Sequence, residues 1–393
     1  MTSSPFSELR TLHGQPCWTL RNANVSFAVT RLGAHLADAQ FACDQGPGVS
    51  PYYVSPWQEE GLSGLPAPVL VPLRGDFFCL PFGGNGTAFR GERHPPHGET
   101  AGSLWTMHDA RRTGGITTLT IELATQVRPG RVRREFSLVD GHNAVYGRTI
   151  VEGFAGPTPF AHHAILAAPE QEGALKIGVR PFKFGLVCPE VFSDPAQREY
   201  QALLPGAEFA DLARVPAWRK GEPEADCSVF PARRGFADLI STFSDPADAA
   251  TPDWVTVVNT EAHWLWFAFK NAAVMPARAH WIENHGRHGS PWNGRNACIG
   301  LEDGCMYFAA GLAESAGANV VNRRGIPTAR ELDGRQPLEV LYVQGAIPVP
   351  REFGRVAAVR FEPANVVFVD EAGRTVVTPL RAAFVFDGQM QDV

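Results

Sequence analysis

The chain of 393 residues carries 35 basic and 41 acidic side chains, a formal net charge of -6 and a pI near 6.1, so it offers no cationic face that would displace counterions from a nucleic acid. Hydrophobic residues at 44% and charged residues at 19% exclude a disordered or fibrous class. No apolar run approaches the roughly 20 residues that cross a bilayer, and the first residues lack the basic and apolar regions of a leader, so a cytoplasmic protein with no membrane partner is expected.

The composition departs from average in its 39 glycines, 32 prolines and 25 phenylalanines, which favour many turns and many strands over long helices. Seven cysteines form an odd set with no CxxC pair, arguing against both a disulfide framework and a cysteine zinc site.

Taken in order, residues 25 to 30 (VSFAVT) place Val25, Phe27 and Val29 on one face at period two, the pattern of a half-buried strand. Residues 44 to 68, interrupted by prolines and glycines, predict an irregular loop. That loop leads into the stretch 71 to 105, which combines Arg74, the turn cluster Gly83, Gly84, Asn85 and Gly86, the histidines His94 and His97, Glu99 and Trp105. A loop of this composition on a rigid scaffold is a candidate site, although the same histidines can equally be solvated in a compact surface loop.

Alternation resumes in TLTIEL around Leu119, Ile121 and Leu123, and again from Val145 to Val151 after the Asp140-Gly141 turn signal. The pair His162 and His163 follows, within EGFAGPTPFAHHAIL. Neighbours in a strand face opposite sides of a sheet, so only one of the two can look into a given pocket.

Between 185 and 250 the pattern weakens, and Phe209 to Ala213 and Phe236 to Thr242 each predict a short helix. From Trp254 strands return in WVTVVN, HWLWFAFK, NACIGLE, CMYFAAG, LEVLYVQ, RVAAVRF and NVVFVDEAGRTVVTP, the last with a hairpin turn at 370 to 373. No repeat, linker or shift in composition divides the chain. An all-β protein is expected, a large antiparallel sandwich forming one domain over 1 to 393, with its core between about 20 and 385.

Further candidates for chemistry are His285 and His288 in WIENHGRHGSPWNGR, and Glu302 at the end of the apolar run IGLE. The order of these motifs resembles the galactose mutarotase (aldose 1-epimerase) superfamily: an Arg in a loop, a His-Gly about twenty residues on, a second His before a strand, and a Leu-Glu in the last third. The chain reads His162-His163 where that family has Asn-His, and Glu302-Asp303-Gly304 at the last motif. The resemblance implies a β-supersandwich and an enzyme that interconverts sugar anomers, with Arg74 binding substrate, His97 and His163 as the histidines, and Glu302 as general base.

Asn85, His162, Trp105, Trp281 and Trp292 complete the candidate contact set, the indoles by covering an apolar sugar face. Ring opening needs a base for the anomeric hydroxyl and an acid for the ring oxygen, and calls for no cofactor. The expected partner is a small sugar, bound by a monomer or homodimer. Two other readings use the same residues. His94, His97 and Glu99 would be ligands in a metal-dependent sugar isomerase, and a cleft without chemistry would make a carbohydrate-binding protein. No glycine-rich phosphate loop follows a strand, which disfavours nucleotide chemistry.

Overall fold

The computed structural model describes residues 6–218 and 221–390. Strand makes up 46% of it and helix 6%, and every pairing within the sheets is antiparallel. Two large sheets face each other. In a seven-stranded sheet the order is Phe78–Cys79, Phe160–Ala167, Ala297–Cys305, Ala277–Asn284, Phe236–Phe243, Phe184–Val187 and Glu208–Phe209. A nine-stranded sheet has Leu338–Pro348 at its centre, flanked by Trp264–Lys270 and Ala144–Glu152.

Three apolar clusters follow from the alternation of side chains along these strands. The first lies between the two sheets and draws Phe160, Leu166, Ile299 and Leu301 from one, and Ile121, Val257, Trp266 and Val340 from the other. The second covers the outer face of the seven-stranded sheet, where Trp57, Val69, Leu70 and Leu73 from the 44–73 loop and Phe308, Val321 and Ile326 from the segment after Cys305 pack onto Ala161, Ile165 and Ala279. The third covers the outer face of the nine-stranded sheet with the hairpin of Asn365–Asp370 and Thr375–Pro379 and the short helix Phe384–Asp387.

The strands read from the sequence at 25 to 30, 118 to 123 and 145 to 151 lie within or overlap Ser26–Thr30, Ile116–Thr125 and Ala144–Glu152. Two expectations need correction. Residues 236 to 242 form the strand Phe236–Phe243, not a helix, and Phe209 ends a two-residue strand. The former is buried on both faces, so its outward positions carry Leu239, Ser241 and Phe243 instead of the polar residues that would have made a strand pattern visible. CMYFAAG is a strand only at Cys305; Met306 onward turns away to cover the sheet.

Polar groups also cross the space between the sheets. Asp76 accepts from Gln344 Nε2 at 2.9 Å, contacts His162 Nδ1 at 3.0 Å and faces Arg134 at 3.6 Å. His162 stacks on Tyr342 with ring centres 4.1 Å apart, and the Tyr342 hydroxyl donates to Asp303 at 3.1 Å. Asp303 in turn sits 2.8 Å from Lys270 and 2.9 Å from Arg278, which also share Asp253. Three carboxylates thus balance three cations in a region where an unpaired charge would be costly.

Candidate acid-base site on the outer face of the seven-stranded sheet

Two dipeptides lie directly opposite each other in the antiparallel ladder. His162 pairs with Asp303 and His163 with Glu302. Because successive side chains alternate, His162 and Asp303 point between the sheets into the charge network, while His163 and Glu302 point outward together. On that outer face His163 Nε2 lies 3.2 Å from Glu302 Oε1.

The third member arrives on a loop. His97 has φ 60° and Gly98 φ 75°, and its backbone N–H donates to Gly83 O at 2.7 Å. A Cβ on Gly98 would stand 1.9 Å from Leu80 O, so glycine alone lets this turn lie against the Leu80 backbone. The His-Gly dipeptide is thereby a packing requirement that delivers the His97 ring to His163, with ring centres 5.1 Å apart. Gly300 serves Glu302 similarly, since a Cβ there would meet Glu302 Oε1 at 2.9 Å and Trp281 at 3.2 Å.

His163 is held from behind by a stack that sequence reasoning missed. Phe77 lies flat on it at 4.5 Å, and His35 lies flat on Phe77 at 4.0 Å. His35 Nδ1 accepts from the Arg74 backbone N–H at 3.3 Å, leaving Nε2 to donate to Ala101 O at 3.0 Å. A lone histidine in the turn before Leu36–Gln40 carries no spacing signal that would have singled it out.

Among the described residues no cation pairs with Glu302, while Arg287 stands over the Trp292 ring at 5.3 Å. The flanking ionisable groups are His97, His163, Cys79 and Cys298, with Glu283 farther along the neighbouring strand. Burial alone pushes the Glu302 carboxyl up to about 8, and burial pushes His97 down to about 4. His163 is held well below the usual imidazole range, first by burial and then by the neighbouring His97 and His35. At neutral pH the arrangement is a carboxylic acid beside neutral imidazoles.

The other sequence candidates divide between the two faces. Trp281 meets His163 edge-on at 6.0 Å, and Trp292 meets Trp281 at 5.6 Å, so both indoles share the outer face with the acid-base pair. Arg74 does not. It is fully buried, and its guanidinium donates to Pro72 O, Leu12 O, His13 O and Gln58, clamping the first hairpin. Asn85 is likewise occupied, donating to Pro81 O, Gly83 O and Pro95 O and accepting from Leu312 N–H. His162 faces the interior, and Trp105 is a core residue whose Nε1 donates to Thr100 O.

The ligand set His94, His97 and Glu99 does not converge. His94 Nε2 pairs with Glu92, and the Glu99 carboxylate accepts the Gln126 and Val127 N–H groups. Among the described residues no three His, Cys, Asp or Glu side chains come together as metal ligands. Two cavities of about 220 and 330 Å³ lie elsewhere, sharing Arg355 and Glu371 and touching none of the acid-base residues. No helix among the described residues is long and apolar enough to cross a membrane.

No family model matches this sequence, and no curated protein matches it. Solved structures do. A galactose mutarotase-like protein from Clostridium acetobutylicum superposes with a TM-score of 0.59 at 10% identity, over 87% of this chain and 98% of its own. The galactose mutarotase related enzyme from Lactobacillus acidophilus gives 0.53 at 10%, over 85% and 98%. The Slr1438 protein from Synechocystis sp. PCC 6803 gives 0.56 at 10%, over 88% and 100%. The chain therefore has the galactose mutarotase-like fold, an all-β supersandwich built from two large antiparallel sheets.

Proposed function

We propose that this protein interconverts the anomers of an aldose by acid-base opening of its ring, with Glu302, His163 and His97 as the catalytic groups. The observation that carries the reading is the 3.2 Å contact of His163 with Glu302 on the outer face, with His97 set against His163. Opening removes the proton from the anomeric hydroxyl, breaks the bond between the anomeric carbon and the ring oxygen, forms the carbonyl and places a proton on the ring oxygen. Closure on the other carbonyl face reverses each transfer, so both groups return to their starting state.

The resemblance assigns Glu302 as the base. Its surroundings favour the opposite entry point: the buried carboxyl holds a proton, and the neutral imidazoles are the acceptors. Glu302 then donates to the ring oxygen while an imidazole takes the anomeric proton, and the roles exchange on closure. Trp281 and Trp292 supply the apolar wall that a sugar ring covers. A non-catalytic sugar-binding protein would keep the wall and have no use for the buried acid.

Exchange between the anomers of a dissolved aldose, followed by saturation-transfer NMR, tests the reading directly. Glu302→Gln keeps the shape and loses the transferable proton, so exchange is expected to fall roughly a hundredfold or more, in the range of general acid-base contributions, with sugar affinity little changed. Equal exchange rates in wild type and variant would remove Glu302 from the reaction. Treatment with EDTA should leave the rate unchanged; restoration by zinc or manganese after such a loss would revive the metal reading.

A further inference from the structure

His35 stands behind the acid-base site and touches both of the segments that deliver its imidazoles. On one side its ring lies flat on Phe77, with centres 4.0 Å and planes 14° apart, and Phe77 lies flat on His163 at 4.5 Å and 19°. The three rings form one column. On the other side His35 Nε2 donates to Ala101 O at 3.0 Å. Ala101 closes the helical turn Glu99–Ala101, which follows His97 and Gly98 directly, so this bond reaches the segment that carries the second imidazole.

The histidine is itself tied at both ring nitrogens and at its backbone. Nδ1 accepts from the Arg74 N–H at 3.3 Å, in the segment that leads to Phe77, and the His35 N–H donates to Thr30 Oγ1 at 2.9 Å. The turn around it is strapped on both flanks: Gly33 N–H donates to Ser103 O at 2.8 Å, and Leu36 and Asp76 exchange backbone hydrogen bonds at 2.7 and 3.0 Å. A Cβ on Gly33 would stand 2.4 Å from Ala101 O and 2.7 Å from the His35 ring, so glycine at φ 74° is what admits the ring beside that carbonyl.

A ring that only filled space would need no nitrogens. Phenylalanine could stack on Phe77, but it would leave the Arg74 N–H and the Ala101 carbonyl without this partner in the interior. His35 is fully buried, and burial pushes it down to about 3, so at neutral pH it is the uncharged tautomer with its proton on Nε2. Its contribution is geometry, not charge.

We propose that His35 is a positioning residue for the reaction, which sets the His163 ring through Phe77 and the His97 turn through Ala101 O. The inference rests on the ring-opening reading for its effect on rate, and on the geometry alone for its effect on the two rings. Proton transfer between held groups tolerates little misplacement, since a shift of about 1 Å can cost roughly a hundredfold. A side chain that orients two of the three groups therefore governs turnover without touching the sugar.

The test separates the two arms. His35→Phe keeps a flat ring on Phe77 and loses the bond to Ala101, whereas His35→Gln can still donate to Ala101 O and loses the ring. The imidazole resonances of His97 and His163, assigned through His97→Gln and His163→Gln, are followed by heteronuclear NMR together with anomer exchange per folded molecule. His35→Phe should shift the His97 resonances and leave those of His163 near their wild-type positions; His35→Gln should do the reverse. In each variant kcat should fall about tenfold with KM little changed, because the lost term is orientation and not binding.

Unchanged resonances of both rings, with kcat per folded molecule at the wild-type level and only the melting temperature lowered, would overturn the proposal and leave His35 a structural residue. Equal shifts of both rings in either variant would overturn it too, as a general loosening of the core. If one variant does not fold, the other decides, since each has its own expected pattern. Absence of anomer exchange in wild type would overturn the ring-opening reading alone, and the resonance pattern would then decide the positioning of the two rings by itself.

Discussion

Glu302 owes its chemistry to what is missing around it. A carboxyl beside a guanidinium is ionised and serves as a base; this one is enclosed with imidazoles and thiols, and burial pushes its pKa up to about 8. The pH dependence follows by sign. The acid form of Glu302 is present below about 8 and is lost as pH rises through it, while the neutral form of His97 is lost as pH falls through about 4. Anomer exchange should therefore hold a plateau between those limits, with the alkaline limb moved or abolished in Glu302→Asp or Glu302→Gln. A rate that climbs as pH rises through 8 would restore Glu302 to the role of base. The same shift acts on stability: a group with a raised folded pKa stabilises fully below its unfolded value, near 4.5, and loses that contribution as pH climbs toward 8. Glu302→Gln should raise the melting temperature by a few degrees at pH 8 and have little effect at pH 4.5, as read by a calorimetric scan at the two values.

Arg74 separates what residue type can tell from what only position can. Its donor set fits a sugar hydroxyl, and nothing in the sequence places the carbonyls of Leu12, His13 and Pro72 around it. Arg74→Ala should destabilise the protein by about 3 kcal/mol or more, because those buried acceptors lose their partner. Sugar affinity in the fraction that folds should remain near wild type, and denaturant unfolding alongside NMR binding separates the two. At the scale of elements, Ile116–Thr125 was legible from period two, and the hairpin after Asn365 from the turn at 370 to 373 between two β-branched runs. Phe236–Phe243 was not, because both of its faces are covered and alternation has nothing to alternate between. His35 was hidden for another reason: a single polar residue in the turn before Leu36–Gln40 forms no motif until the fold sets Phe77 beside it.

For the whole molecule, the turn-rich and aromatic composition pointed to an all-β sandwich, and the structure has that form. The convergence of His97, His163 and Glu302 was legible only as an order of motifs, since strand pairing brings together positions 139 residues apart through the pairing of Phe160–Ala167 with Ala297–Cys305. What the order did not reveal is that these two strands carry a second pair, His162 and Asp303, on their other side. Those inner residues belong to a balanced set of buried charges, in which removal of one partner costs about 3–5 kcal/mol, whereas replacing His163 or Glu302 leaves no charge stranded.

The two sides of one ladder are thus exposed to different selection. Saturation mutagenesis scored by protein abundance should find positions 163 and 302 permissive and positions 162 and 303 restrictive, although 162 is bonded to 163 and 302 to 303. A descendant of this gene could lose the acid-base pair by one substitution and remain a sound scaffold. Deleting a single residue within Phe160–Ala167 would have the opposite character: it would turn His163 inward and His162 outward, and forfeit fold and chemistry in the same step.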